Sequence, residues 1–123
     1  MRGTGGDPEH VTSEERAADI AVLKKGLAYC ASLGITSFQN MDGNLYQLEM
    51  LDEIEKTDGL AVRVRMPYHM KNFMPLSDLE EKAAVWKARF DTDKLRCNFV
   101  KLFMDGVTEG ETAVFVDDYA HKP

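Results

Sequence analysis

The residue types that could do chemistry in this chain of 123 residues gather around a few short runs. In Asn98-Phe99-Val100-Lys101-Leu102-Phe103-Met104-Asp105-Gly106, an apolar stretch carries one lysine in its middle and one aspartate near its end. A strand buried on both faces reads as near-continuous apolar sequence, and an ammonium inside it costs several kcal/mol unless it is paired or chemically altered. Alternation along a strand sets Val100, Leu102 and Met104 on one face and Lys101, Phe103 and Asp105 on the other. If helices cover the apolar face, the Lys101 face is turned toward a cleft or a barrel interior. Lys101 then either carries its head to solvent, pairs with a structural carboxylate, or acts on a ligand. Asp105 falls at the carboxyl end of the strand, where α/β folds place their chemistry.

His69 stands just past another strand, at the equivalent end, and suits a metal, a substrate or a plain hydrogen bond. Asn40 and Asp42 close a third strand; Asp42 could orient a substrate, while Asp42-Gly43 is equally ordinary turn chemistry. Arg63 and Arg65 could bind an anion or pair internally with carboxylates. His10 and His121 fall in the polar termini. No Gly-x-Gly-x-x-Gly, Walker, Gly-x-Ser-x-Gly or paired-histidine motif occurs, so nucleotide-binding and serine-hydrolase readings fall away.

The elements that must position these residues follow from period and capping. Residues 1–11 are polar and glycine-rich and form a flexible lead-in. Thr12 and Glu15 make a capping box for a helix with Ile20, Leu23, Leu27 and Ala31 on one stripe, ended by Gly34. Residues 35–40 read as a strand before the turn Asp42-Gly43-Asn44. Asn44 and Gln47 box another helix carrying Leu48, Leu51 and Ile54, which stops near Asp58-Gly59. Residues 60–68 follow as a strand closed by Pro67, with Val62, Val64 and Met66 opposite Arg63, Arg65 and, beyond the strand, His69. Ser77 and Glu80 box a third helix bearing Leu79, Ala83, Trp86 and Phe90, and a polar connection over 91–96 leads into the Lys101 strand.

This α-β-α-β-α-β order demands a parallel sheet with crossover helices. Three such units make either a small open sheet or an arc of a closed barrel, which typically takes about 250 residues. A formal charge of −6 argues against nucleic-acid binding, and no apolar run approaches the roughly 20 residues of a membrane span. No secretory leader is visible at the start. The two cysteines, Cys30 and Cys97, lie far apart and read as reduced core residues, as in a cytoplasmic protein.

The runs Gly26–Ser37, Leu60–Val64 and above all Val100–Gly106, with Thr112-Ala113 and Tyr119, resemble the middle of a family 3 amidohydrolase, the branch that includes N-substituted formamide deformylases. The resemblance covers residue 12 to the end. It implies that residues 12–123 form a partial barrel domain, about strands two to four of a (β/α)8 TIM-type barrel. Such a barrel holds one or two divalent metals, usually zinc, whose bound hydroxide attacks an amide-type C–N bond of a small molecule. Lys101 matches the fourth-strand lysine that can be carboxylated as a metal ligand, and Asp105, His69 and Asn40 fall at the mouth. The family's His-x-His pair, its later histidines and its late aspartate have no counterpart here, so the chain reads as a fragment that is inactive alone and whose exposed sheet edges favour homo-oligomers. The rival reading is a small non-catalytic α/β binding or interaction domain derived from such a barrel.

Overall fold

A computed structural model describes residues 6–120; the first five residues of the lead-in and His121 lie outside the described residues. Helix α1 spans Ser13–Ser32, strand β1 Ser37–Gln39, helix α2 Leu45–Thr57, strand β2 Arg63–Arg65, strand β3 Tyr68–Met70, helix α3 Leu79–Arg89, strand β4 Leu95–Arg96 and strand β5 Val100–Leu102. Every pairing between these strands is parallel: β1 with β2, β2 with β4, and β3 with β5. The chain is therefore a mixed α/β structure with parallel strands, as the order of its elements requires.

The helix starts follow the sequence with one exception. The Thr12 hydroxyl accepts from the Glu15 amide and the Glu15 carboxylate accepts from the Thr12 amide, the reciprocal box that satisfies free helix-end donors. Asn44 caps α2 by accepting from the Gln47 amide. At α3 the expected Ser77–Glu80 box is absent. A 3-10 turn over Leu76–Asp78 precedes the helix, and the Ser77 hydroxyl donates to Asp78 instead. Pro75, fixed in φ at the entrance of that turn, starts the chain coiling before Ser77 can serve as a cap.

Two strand boundaries are corrected. Residues 91–96 are more than a polar connection: Leu95, fully buried, and Arg96 form β4 beside β2. Pro67 interrupts its strand rather than ending it. With no N–H to give, it falls between β2 and β3, while Met66 donates to the Arg96 carbonyl and Tyr68 to the Phe99 carbonyl on either side. The pairing also changes step there. Val64 faces Leu95 and Arg65 faces Arg96, whereas Tyr68 faces Val100 and His69 faces Lys101, so Met66 and Pro67 are spanned by Cys97, Asn98 and Phe99. One extra residue is absorbed as in a β-bulge.

The core lies between the helices and one face of the strands: Leu27, Leu48, Leu51 and Ile54 from the helices against Val62, Val64, Met66, Tyr68 and Leu95. Phe90 closes its end, and the Trp86 ring meets Tyr68 edge to face. Ala31, placed on the α1 stripe by spacing, is exposed. Within the lead-in, Gly6 and Asp7 bond to the start of α2: Asn44 donates to the Gly6 carbonyl, and the Tyr46 amide donates to Asp7 at 2.6 Å. The strand around Lys101 is not buried on both faces. Val100 lies beside α3 yet stays 39 % exposed, and Leu102 is 48 % exposed and borders a cleft with Met70, Met74 and Leu76 rather than lying under a helix. β5 pairs on one side only, so its neighbour covers half of what a central strand would have covered. No helix among the described residues is long and apolar enough to cross a membrane.

Candidate functional site

The carboxyl ends of β1 and β3 bring together Asn40, Asp42, His69 and Lys71, with Lys101 alongside on β5. His69 ends up on this face because alternation sends Tyr68 and Met70 into the core and turns the residue between them the other way. Its register partner is Lys101. Asp42 reaches the same place through a tight approach of its turn to the strand. A Cβ added to Gly43 would stand 2.7 Å from the Met66 methyl and 3.3 Å from the Met66 Cβ. Only glycine lets the turn seat there without moving Met66.

His69 is nearly fully buried. Its Nδ1 lies 2.9 Å from Lys71 Nζ and 3.1 Å from Asp42 Oδ1, and Lys71 Nζ also donates directly to Asp42 Oδ1 at 2.5 Å. An ammonium has donors only and a carboxylate acceptors only, so Nδ1 meets one of each, and the nitrogen that carries the neutral ring's proton follows from which of the two it engages. His69 Nε2 is buried with no hydrogen-bond partner. Burial, and next the Lys71 charge, push the His69 pKa below its usual value, so the ring is neutral near pH 7. The Lys71 hydrogen bond holds the Asp42 carboxyl below the ordinary carboxylate range.

Lys101 makes no salt bridge among the described residues. Its Nζ sits 4.0 Å from the centroid of the Phe103 ring, and that ring is 5.2 Å from the His69 ring. A cation on an aromatic face keeps part of its stabilisation without a counter-ion.

The other residues singled out by sequence are placed apart or already engaged. Asp105 is exposed, and its Oδ2 accepts from the Val114 amide, so it organises the loop after β5. Asn40 donates to Gln47 and accepts from the Asp42 amide, which makes it a brace for the Asp42 turn. Arg63 and Arg65 are exposed and line open clefts of about 410 and 500 Å³ on the sheet face away from the core, the first shared with Arg96. His10 is exposed in the lead-in. Sequence reasoning missed Lys71. The signal was its position two residues after His69, which puts it on the same face if the strand runs on past Pro67.

A parallel α/β structure with polar side chains clustered at the carboxyl ends of its strands has its polar groups where α/β folds place their ligand sites. Residues 5–123 match the family model described as the amidohydrolase family, and the chain belongs to that family. No curated protein and no solved structure matches the chain.

Members of this family typically use a divalent metal. Among the described residues, no group of three or more His, Cys, Asp and Glu side chains is arranged to hold a metal ion. His69 Nε2 is one uncommitted nitrogen, while the nearby carboxylates of Asp42 and Asp105 are engaged by Lys71 and by the Val114 amide. A zinc site takes about three protein ligands, so the described residues do not make up that donor set, and no step of chemistry runs through a metal on these residues alone.

Proposed function

We propose that the chain is the arc of about strands two to four of a (β/α)8 barrel that hydrolyses small amide- or formamide-type C–N bonds. The observation that carries this reading is the pairing of His69 with Lys101 at the carboxyl ends of adjacent parallel strands, in a chain of the amidohydrolase family. Lys101 stands at the strand position of the family's ligand lysine. In this chain it remains an ordinary lysine, because a carbamate on Nζ is labile and persists only when metal traps it. His69, held by Lys71 and Asp42, faces the substrate side, and Asn40 fixes the turn that carries Asp42. Family membership supports hydrolysis, and the incomplete donor set supports an arc that does not turn over alone.

The test has two arms. The purified 123-residue protein, given zinc and bicarbonate, is expected to show no hydrolysis of N-formyl or N-acyl amines above buffer and no added mass of carbon dioxide on Lys101. Sequencing the DNA on either side shows whether the reading frame continues. An extended chain is expected to hydrolyse such substrates with chelator sensitivity and to lose that activity on Lys101→Ala. Metal-dependent turnover by the 123-residue protein, lost on the same substitution, would overturn the inactive-arc reading. An extended chain without hydrolase activity would favour a non-catalytic binding domain.

A further inference from the structure

The sheet face turned away from the core is cationic in a chain whose net charge is −6. Alternation puts the charge there: Val64 enters the core, and Arg63 and Arg65 stand exposed on the other side of β2. Parallel register sets Arg96 directly beside Arg65, with Gln39 on the other flank and Ser37 beside Arg63. Neighbouring strands lie about 4.8 Å apart and alternate residues of one strand about 6.6 Å, so three guanidinium stems rise from one small area. Arg96 is shared between Asp91 at 3.5 Å and Asp93 at 3.8 Å. Arg63 and Arg65 have no ion pair among the described residues. The complementary chemistry lies near the end of the same chain, where Phe115-Val116-Asp117-Asp118-Tyr119 sets two exposed carboxylates between two aromatic rings. Asp117 and Asp118 also have no ion pair among the described residues. We infer that Arg63 and Arg65 dock the segment Phe115–Tyr119 of a second copy of this chain, reciprocally, each copy lending its acidic segment to the other's sheet face.

The segment is a formed loop. Asp105 accepts from the Val114 amide, the Gly106 amide donates to the Thr112 carbonyl, and the Tyr119 hydroxyl donates to the Ala113 carbonyl. These bonds fix the backbone on both sides of Phe115 and leave the two carboxylates off their own sheet face. Arginine suits both kinds of group that the loop presents: its planar fork takes a carboxylate through parallel N–H bonds, and its flat face accepts an aromatic ring. The apolar stems of Arg63 and Arg65 can lie along Val116, which is otherwise wholly in water. A single exposed ion pair is worth little, so the contact draws on several at once, repeated by two-fold symmetry, and on covering the apolar side chains of the loop. A small inorganic anion would match the charge and leave those side chains in water, which favours the polypeptide segment. Under the barrel reading an extended chain covers this face with its own later strands, so the pairing belongs to the 123-residue chain and stands or falls apart from the hydrolase reading.

Sedimentation velocity of the full 123-residue chain at low ionic strength reads the contact. A dimer is expected that dissociates as sodium chloride is added, since exposed pairs are screened. Arg63→Glu with Arg65→Glu, and separately Asp117→Lys with Asp118→Lys, should each raise the dimer dissociation constant about tenfold or more, several exposed ion pairs being lost while like charges are brought together. An equimolar mixture of the two variants should dimerise again, because each then meets the opposite charge on both sides of the contact. All four positions are exposed, and circular dichroism checks that each variant keeps the parent's fold. If one does not, Asp117→Asn with Asp118→Asn takes its place and should weaken the dimer in the same direction. A monomeric parent, a dimer that either substitution pair leaves unweakened, or a mixture as dissociated as its separate components would each overturn the pairing.

Discussion

At the scale of single residues, His69 concentrates the informative physics of this chain. It was legible from sequence as a histidine at a strand end, but its burial and its bond to Lys71 were not, because both depend on the strand resuming after a proline. Its depressed pKa carries a stability consequence. The neutral form is favoured in the folded chain, while the unfolded chain takes up a proton near the ordinary value of about 6.5. The contribution is present above that value and is lost as pH falls through the lower folded value. Urea midpoints should therefore drop between about pH 7.5 and about pH 5.5, and His69→Gln should flatten that drop. The groups facing the ring are Asp42, Lys71 and Lys101, and of these Lys71 exerts the larger downward pull. Lys71→Met should accordingly raise the His69 pKa, with Asp42 now its nearest charge; a chemical-shift titration that leaves it unmoved would contradict that pull. Cys97 behaves as the sequence suggested, a buried thiol whose pKa is pushed up to about 11 and which is inert at neutral pH.

At the scale of elements, capping and periodicity made α1 and α2 readable to within a residue or so, since Thr12-x-x-Glu15 and Asn44-x-x-Gln47 are local patterns whose bonds form within one turn. What could not be read depends on neighbours distant in sequence. β4 is two residues long and exists because Leu95 pairs with Val64; nothing in Asp91–Arg96 announces it. The Ser77 cap failed for a related reason, a 3-10 turn set by Pro75 taking its place. Asp42-Gly43 reads as a turn, and in the structure that turn carries Asp42 to Lys71 and His69. The glycine requirement there yields a sharp expectation. Gly43→Ala forces its methyl against Met66, and overpacking of this kind costs about 1–3 kcal/mol. Displacing the turn also moves Asp42 away from Lys71, so a urea denaturation series should show the loss of stability together with a smaller pH-dependent step. An alanine variant as stable as the parent would mean that Met66 repacks freely.

At the scale of the whole molecule, the described strands pair as β1-β2-β4 and as β3-β5, which leaves edges along β1, β4 and β5, and the segment after β5 keeps large apolar side chains in water. Val114 is 78 % exposed, and Phe115, which meets Tyr119 edge to face, is 53 % exposed. Unpaired edges and exposed apolar side chains of this kind favour association. Sedimentation velocity should show a dimer or larger species whose fraction rises with concentration, and Phe115→Ser with Val116→Ser should lower it; a strictly monomeric chain would argue that the edges are blunted by their own twist. The step in pairing at Pro67 bears on how this chain compares with others. Three residues on one strand span two on its neighbour, so the segment between Arg96 and Lys101 holds one residue in reserve. Deleting Asn98 would restore plain alternation and leave Lys101 opposite His69, with Val100 still toward α3. A related chain that is one residue shorter here can therefore carry the same face, and a single gap at this place in an alignment marks a bulge gained or lost, not a site.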